Sequence, residues 1–310
     1  MSNRIWKTLV VMNPNSSNGR TGRVWPSLEP SLREILCAYD LAVTSRAKEA
    51  TDLTRNALSK GYERIVSVGG DGTHHEVING FFDGETPLGP KALLSVITSG
   101  TGGDFRKTFG VLPGPEAAIE RLKNATVRPI DVGRFWYTDA SGERQLGHFL
   151  NILSFGIGGL VDHTVNTTTK MLGGKASFFL GTLRAFVKYR PQTVKVRLDG
   201  GPWRETTIHN IAVANGQFFG GGMNVAPEAQ PDDGLFDIVG FEHMTTTGFL
   251  AMAKQIYGGS HIGSKGVTHT RATILEAEST EDVLLDVDGE QEGRLPLRIQ
   301  LVPRCLNLLI

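Results

Sequence analysis

Val68-Gly69-Gly70-Asp71-Gly72-Thr73 stands between an apolar run, Arg64 to Val68, and an amphipathic stretch from about Thr73 to Phe82. Glycines on both sides of a carboxylate permit φ values that a side chain forbids. Backbone N–H groups there converge on phosphate oxygens at a helix N-terminus. Asp71 then lies where a phosphate-bound Mg²⁺ takes a hard oxygen ligand. The same string also reads as a plain turn with Asp71 as helix N-cap.

Working outward, the scheme of strand, polar loop and helix repeats. Thr8 to Met12 reads as a strand, Asn13 to Gly22 as a loop and Trp25 to Ala38 as a helix. Leu41 to Thr44 and the helix Ala47 to Ser59, closed by Gly61, follow; Leu93 to Thr98 leads into the loop Ser99 to Gly103. Four such units predict a doubly wound α/β domain, whose loops share the carboxyl edge of a parallel sheet where ligands bind. Hydroxyls, amides and Arg20 in the first loop suit anion contacts. The chain has neither the Gly-Lys-Ser/Thr ending of a P-loop nor the dinucleotide glycine spacing.

After about Asp131 the texture changes to period-two runs, among them Phe149 to Phe155, Thr206 to Ala214, Leu235 to Phe241, Ala272 to Glu276 and Leu297 to Val302. These predict an antiparallel β-sandwich interrupted by helices at Ser177 to Tyr189 and Thr245 to Tyr257. The expected domains are 1–131 and 132–310, with the last strand left open to return to the first. The 38 glycines among 310 residues, about twice ordinary usage, fit a chain of tight turns and close ligand approaches.

Lysine plus arginine and aspartate plus glutamate both number 32, so no global basic field argues for a nucleic-acid partner. The two cysteines, Cys37 and Cys305, are too few for a four-ligand zinc site and suit a reducing cytoplasm. No apolar run is long enough to span a bilayer, and Met1 to Thr8 lacks a signal core. Oligomeric state stays open, a homodimer included.

The Asn13-Pro14 loop, Gly69 to Thr73, Gly100 to Phe105, Asn215 to Gly222, Ala226 to Ala229, Asp232 to Asp237 and Asp288-Gly289-Glu290 together resemble the diacylglycerol kinase catalytic domain family. That family spans bacterial diacylglycerol kinases, related soluble lipid kinases, and sphingosine and ceramide kinases. The resemblance covers nearly the whole chain. It implies an N-terminal ATP domain, a C-terminal β-sandwich, and an active site in the cleft between them.

Under that resemblance Asn13, Pro14, Asn15, Ser16, Ser17, Thr44, Gly69, Gly70, Asp71, Gly72, Thr73, His74, His75 and Thr101 contact ATP. Asp71, Asp104 and Asp131 form a carboxylate network near the phosphates and a catalytic Mg²⁺, and Glu290 is the general base. Gln230, Asp233 and Leu235 hold a second Mg²⁺, the first and last through main-chain carbonyls. Gly103 departs from the family's usual Asn and loses a side-chain hydrogen bond. The implied partner is a lipid met by transient contact with the membrane surface, making the protein cytoplasmic and membrane-peripheral.

Plainer roles exist for the same residues. Glu290 also fits a solvent-facing hairpin, Asp104 a helix start, Asp131 a strand end, and Gln230 to Leu235 an unliganded turn. The apolar, cation-rimmed stretch Ser177 to Arg190 suits either core packing or a membrane surface. An NAD kinase and a non-catalytic nucleotide or lipid sensor are the rival functions; the Asn-Asn-Glu signature of the former is missing.

Overall fold

The computed structural model describes residues 6–99, 103–158, 189–242 and 245–310. Two compact units are present. One comprises Met1–Asp131 with Pro303–Ile310, the other Val132–Val302. The last eight residues therefore belong to the first unit.

In the first unit, β1 (Thr8–Met12), β2 (Asp40–Val43), β3 (Arg64–Gly69) and β6 (Leu93–Thr98) form a parallel sheet. The short hairpin of β4 (Phe82–Asp83) and β5 (Thr86–Pro87) lies between β3 and β6 in the chain. The spatial order is β2-β1-β3-β6, extended by the end of the final strand, where Asn307 pairs with Leu93 and Leu308 with Leu94. Strands β1 and β3 are almost wholly buried, as expected when helices cover both faces of a parallel sheet.

Helix α1 (Ser16–Leu36) lays Trp25, Leu28, Leu32 and Leu36 on Val10, Met12, Val66 and Val68. Its first turn is not right-handed helix: Ser17, Asn18 and Gly19 all have positive φ, at 54°, 58° and 74°. The expected loop before Gly22 is thus a left-handed turn fused to the helix. Helices α2 (Glu49–Ser59), α3 (Asp71–Asn79), α4 (Asp104–Thr108) and α5 (Pro115–Arg121) complete the unit. Gly61, at φ 77°, ends α2 in the left-handed conformation that glycine adopts without strain.

The second unit is antiparallel. It receives the end of β7 (Val127–Thr138) and contains β8 (Arg144–Phe149), β9 (Ile152–Gly156), β10 (Gln192–Leu198), β11 (Arg204–Ala214), the two-residue strands β12 (Phe218–Phe219) and β13 (Met223–Asn224), and β14 (Phe236–Glu242). Next come a helix at Thr246–Gly258, then β15 (Val267–Ala272), β16 (Ile274–Glu278), β17 (Leu284–Val287) and the long β18 (Glu290–Leu309). Thr245 caps that helix, its hydroxyl accepting from Gly248 N at 3.1 Å. The stacked rings of Phe149 and Phe236, with Phe155, Ile208, Leu275, Leu285 and Ile299, form the core.

Two expected strands prove to be broken. Phe149 to Phe155 divides at Leu150-Asn151, because those amides turn away from any ladder to the carboxylate of Asp288. Ala272 to Glu276 divides at Thr273, whose N–H and hydroxyl both donate to Asp199. The segment Ser177 to Tyr189 falls, but for its last residue, outside the described residues.

Candidate functional site

The order β2-β1-β3-β6 places the carboxyl ends of four adjacent parallel strands side by side. Strands β2 and β3 flank β1 on opposite sides, so the topological switch lies between β1 and β3, where ligands enter sheets of this kind. Asn13 and Thr73 span that position: Asn13 Nδ2 donates to Thr73 Oγ1 at 3.1 Å, and Asn13 N donates to Val68 O at 3.0 Å. Asn13 Oδ1 also accepts from Asn15 N at 3.0 Å. One side chain thereby ties the first loop to the second.

Gly69 lets Thr73 pack against the strand it follows. A Cβ on Gly69 would lie 2.5 Å from Thr73 Oγ1 and 2.8 Å from its methyl. Gly70 is extended and caps α3, leaving Asp71 as the first helical residue. Asp71 is thus not the N-cap. Its carboxylate instead reaches the third loop and accepts from Gly103 N, at 3.0 and 2.9 Å to its two oxygens.

Gly103 has φ 74° and ψ 45°, and a Cβ on it would meet the Thr98 methyl at 2.8 Å. Glycine suits this close left-handed position, so the third loop is held through Gly103's backbone. The hydroxyls of Ser16, Thr21 and Ser99 form a chain, buried at Thr21 and Ser99, that joins the first and third loops, and Ser99 N donates to Gly69 O at 3.0 Å. Thr21 gave no signal in the sequence, where it is one hydroxyl among several in the loop Asn13 to Gly22.

His74 is fixed between Ser67 (2.7 Å from Nδ1) and Thr98 (3.1 Å from Nε2), while Asn79 contacts His75. These are buried side chains of α3 braced by its neighbours. Thr44 N donates to Met12 O at 2.9 Å, and Pro14 O accepts from Gly22 N. Ser17 sits in the left-handed turn, Gly72 in the first turn of α3, and Thr101 lies outside the described residues.

Of the three carboxylates, Asp104 is nearly buried and forms an ion pair with Lys107 one turn along α4. Asp131 is fully buried and accepts from Arg304 N at 2.7 Å, on the returning C-terminal segment. Asp71 and the Gly103-Asp104 segment are directly joined, whereas Asp131 is anchored to the chain's return.

In the second unit Glu290 is exposed and opens β18, paired with Val287 across the two-residue turn Asp288-Gly289. Both turn residues have positive φ, 53° and 89°, the requirement of a type I′ hairpin. Asp288 is also an anchor. It accepts from Leu150 N (3.0 Å), Asn151 N (2.9 Å) and Ile152 N (3.1 Å), and its own N–H donates to Ile152 O. Asp286 accepts from Gly289 N at 3.0 Å and faces Ser154. Glu290 therefore stands in a hairpin, and the turn before it is tied down through Asp288 and Asp286. Asp288 is the positioning residue that sequence reasoning noted only as a flank of Glu290.

Gln230 to Leu235 forms a turn in which Asp233 Oδ1 accepts from Leu235 N at 3.0 Å. Its other oxygen pairs with Arg271, whose Nε lies 3.4 Å from Asp237 Oδ2. Burial alone would lower the Arg271 guanidinium, but Asp237 and Asp233 outweigh it and hold it above its ordinary value.

A parallel-sheet unit with three loops tied together at its switch point, followed by an antiparallel β unit, is the architecture of the diacylglycerol-kinase type of lipid kinase. Residues 7–135 match the diacylglycerol kinase catalytic domain, and residues 151–310 match the YegS C-terminal NAD kinase beta sandwich-like domain. The chain is similar to a probable lipid kinase YegS-like protein of Pseudomonas putida, 30% identical over 283 residues, covering 89% of this chain and 87% of that one. It is also similar to a diacylglycerol kinase of Bacillus subtilis, 28% identical over 256 residues, 82% and 79% of the two chains. A putative diacylglycerol kinase from Bacillus anthracis superposes with a TM-score of 0.78 at 26% identity, covering 99% and 98%.

The chain belongs to the diacylglycerol kinase catalytic domain family with a YegS-type C-terminal domain, and is a lipid kinase, a phosphotransferase. Membership implies ATP as phosphoryl donor.

Proposed function

We propose that the protein transfers the γ-phosphate of ATP to the free hydroxyl of a lipid such as diacylglycerol, with Mg²⁺ and with Glu290 as general base. The observation that carries this reading is the placement of Glu290. An exposed carboxylate opens a strand directly after a turn that Asp288 ties to three successive amides, so its position is fixed by its neighbour's anchoring. In the proposed step Glu290 takes the hydroxyl proton as the lipid oxygen bonds to the γ-phosphorus and the bond to the β,γ-bridging oxygen breaks.

The loops at the ends of β1, β3 and β6 hold the nucleotide, with Gly69 and Gly70 allowing backbone amides close to the phosphates. Asp71 has a structural part as well, since it fastens Gly103. Asp71, Asp104 and Asp131 are hard oxygen donors suited to the metal that accompanies ATP. So is the set of Asp233 with the carbonyls of Gln230 and Leu235, whose carboxylate oxygens keep lone pairs beyond Leu235 N and Arg271. When bound, Mg²⁺ would shield phosphate charge.

Among the described residues no helix is long and apolar enough to cross a membrane; in this reading the lipid is met by transient contact with the membrane surface. Incubating the purified chain with radiolabelled ATP, Mg²⁺ and a panel of extracted lipids tests the reading. Label in a phosphorylated lipid supports it. Tight ATP binding with no labelled lipid makes the protein a sensor, and label in NAD instead makes it a nucleotide kinase.

A further inference from the structure

We propose that Glu228, Asp237 and His269 form a binding site for one divalent ion of the zinc type, separate from the Gln230–Leu235 oxygen set. One ligand atom from each of the three lies within 4.8 Å of the other two. The fold itself assembles them. Asp237 pairs with Arg271 and Val239 with His269 across β14 and β15. Asp237, His269 and Arg271 therefore share one sheet face.

Glu228 reaches that face from a loop fixed on both sides. Ala226 and Ala229 are buried in the core beneath it, Ala229 N donates to Ala226 O at 3.1 Å, and Gln217 Nε2 donates to Ala229 O at 3.1 Å. The side chain of Glu228 is exposed and can swing, whereas Asp237 is fully buried and cannot.

Asp237 supplies the second, independent observation. Its Oδ1 receives His269 Nε2 at 2.6 Å, but its Oδ2 is buried without any hydrogen bond, the nearest cation being Arg271 Nε at 3.4 Å. A buried carboxylate oxygen left in that state is costly unless a cation compensates it. Arg271 already pairs with Asp233, so one guanidinium is shared between two carboxylates, Asp233 and Asp237, and Glu228 adds a third carboxylate beside Asp237. Negative charge remains in excess.

One imidazole nitrogen and two carboxylate oxygens suit a borderline ion such as Zn²⁺ better than the all-oxygen preference of Mg²⁺. Ligand atoms on a tetrahedral ion stand about 3.4 Å apart. Rotation of Glu228 and a small opening of the Asp237–His269 contact reach that spacing.

The test titrates Co²⁺, as a visible probe for Zn²⁺, into the metal-stripped full-length chain, with bound metal measured by equilibrium dialysis. One Co²⁺ per chain is expected, displaced by Zn²⁺ and retained under excess Mg²⁺. His269→Gln and Glu228→Gln should each weaken binding by about tenfold or more, and metal-free Glu228→Gln, altered at an exposed side chain, keeps the wild-type melting temperature. Wild-type affinity in both variants, displacement by Mg²⁺, or no bound Co²⁺ at millimolar concentration overturns the proposal.

Discussion

Asp71 and Gly103, 32 residues apart in sequence, are joined directly: the Gly103 N–H faces both carboxylate oxygens of Asp71, at 3.0 and 2.9 Å. Asp71→Ala frees the third loop and removes a phosphate-side carboxylate together. Turnover should fall by about 100-fold or more, with stability lowered by only about 1–2 kcal/mol. Steady-state kinetics and urea unfolding on the same preparation check both parts. A variant with wild-type turnover removes Asp71 from the mechanism.

Gly69 makes room for Thr73, which in turn holds Asn13. Gly69→Ala should push Thr73 away and separate the first two loops, raising the KM for ATP on the order of tenfold or more. The KM for lipid should move little. An unchanged KM for ATP shows that the Asn13–Thr73 tie does not shape the nucleotide site.

Asp288 gathers three amides and adopts positive φ, so Asp288→Ala loses a charged acceptor and strains the turn. A loss of about 3 kcal/mol is expected in denaturant titration. Asp288→Asn, which tolerates the left-handed region and keeps one acceptor oxygen, should lose roughly half as much. Equal losses in the two variants contradict this division.

The glycine loops were legible because a strand, paired glycines and a helix occur within one short stretch, Arg64 to Asn79. Local pattern suffices where the contacts are local. Asp288 was not legible as an anchor because the amides it holds lie 136 to 138 positions earlier. For the same reason Phe149 to Phe155 read as one strand: nothing in its alternation shows that Leu150 and Asn151 turn to a distant carboxylate. Gly103 reads as the loss of a side-chain hydrogen bond, and the bond that its backbone N–H donates to Asp71 gives no sign in the sequence. The pairing of Asp233 with Arg271 was not legible either, because β15 brings Arg271 to it from 38 positions later.

Acid stability offers a separate check. Asp139 is held down to about 2 from an ordinary 3.8, first by the Ser141 hydroxyl, with Glu143 N–H, Gln145 and Ser141 N–H adding to it. Its folded-state value lies below its unfolded one. The stability it contributes is therefore present above about pH 4 and is lost as pH falls toward 2. The melting-temperature gap between wild type and Asp139→Asn should be constant near neutrality and close over that window. A gap that widens with acid contradicts the assignment.

The central claim rests on Glu290 as proton acceptor for a lipid hydroxyl. Its most direct test is the rate of phosphate transfer from ATP to diacylglycerol by wild type and Glu290→Gln, each with its melting temperature measured. The expected result is transfer by wild type and a fall of about 100-fold or more in kcat for the variant, with no change in melting temperature since the side chain is exposed. Glu290→Gln turning over at the wild-type rate would contradict it.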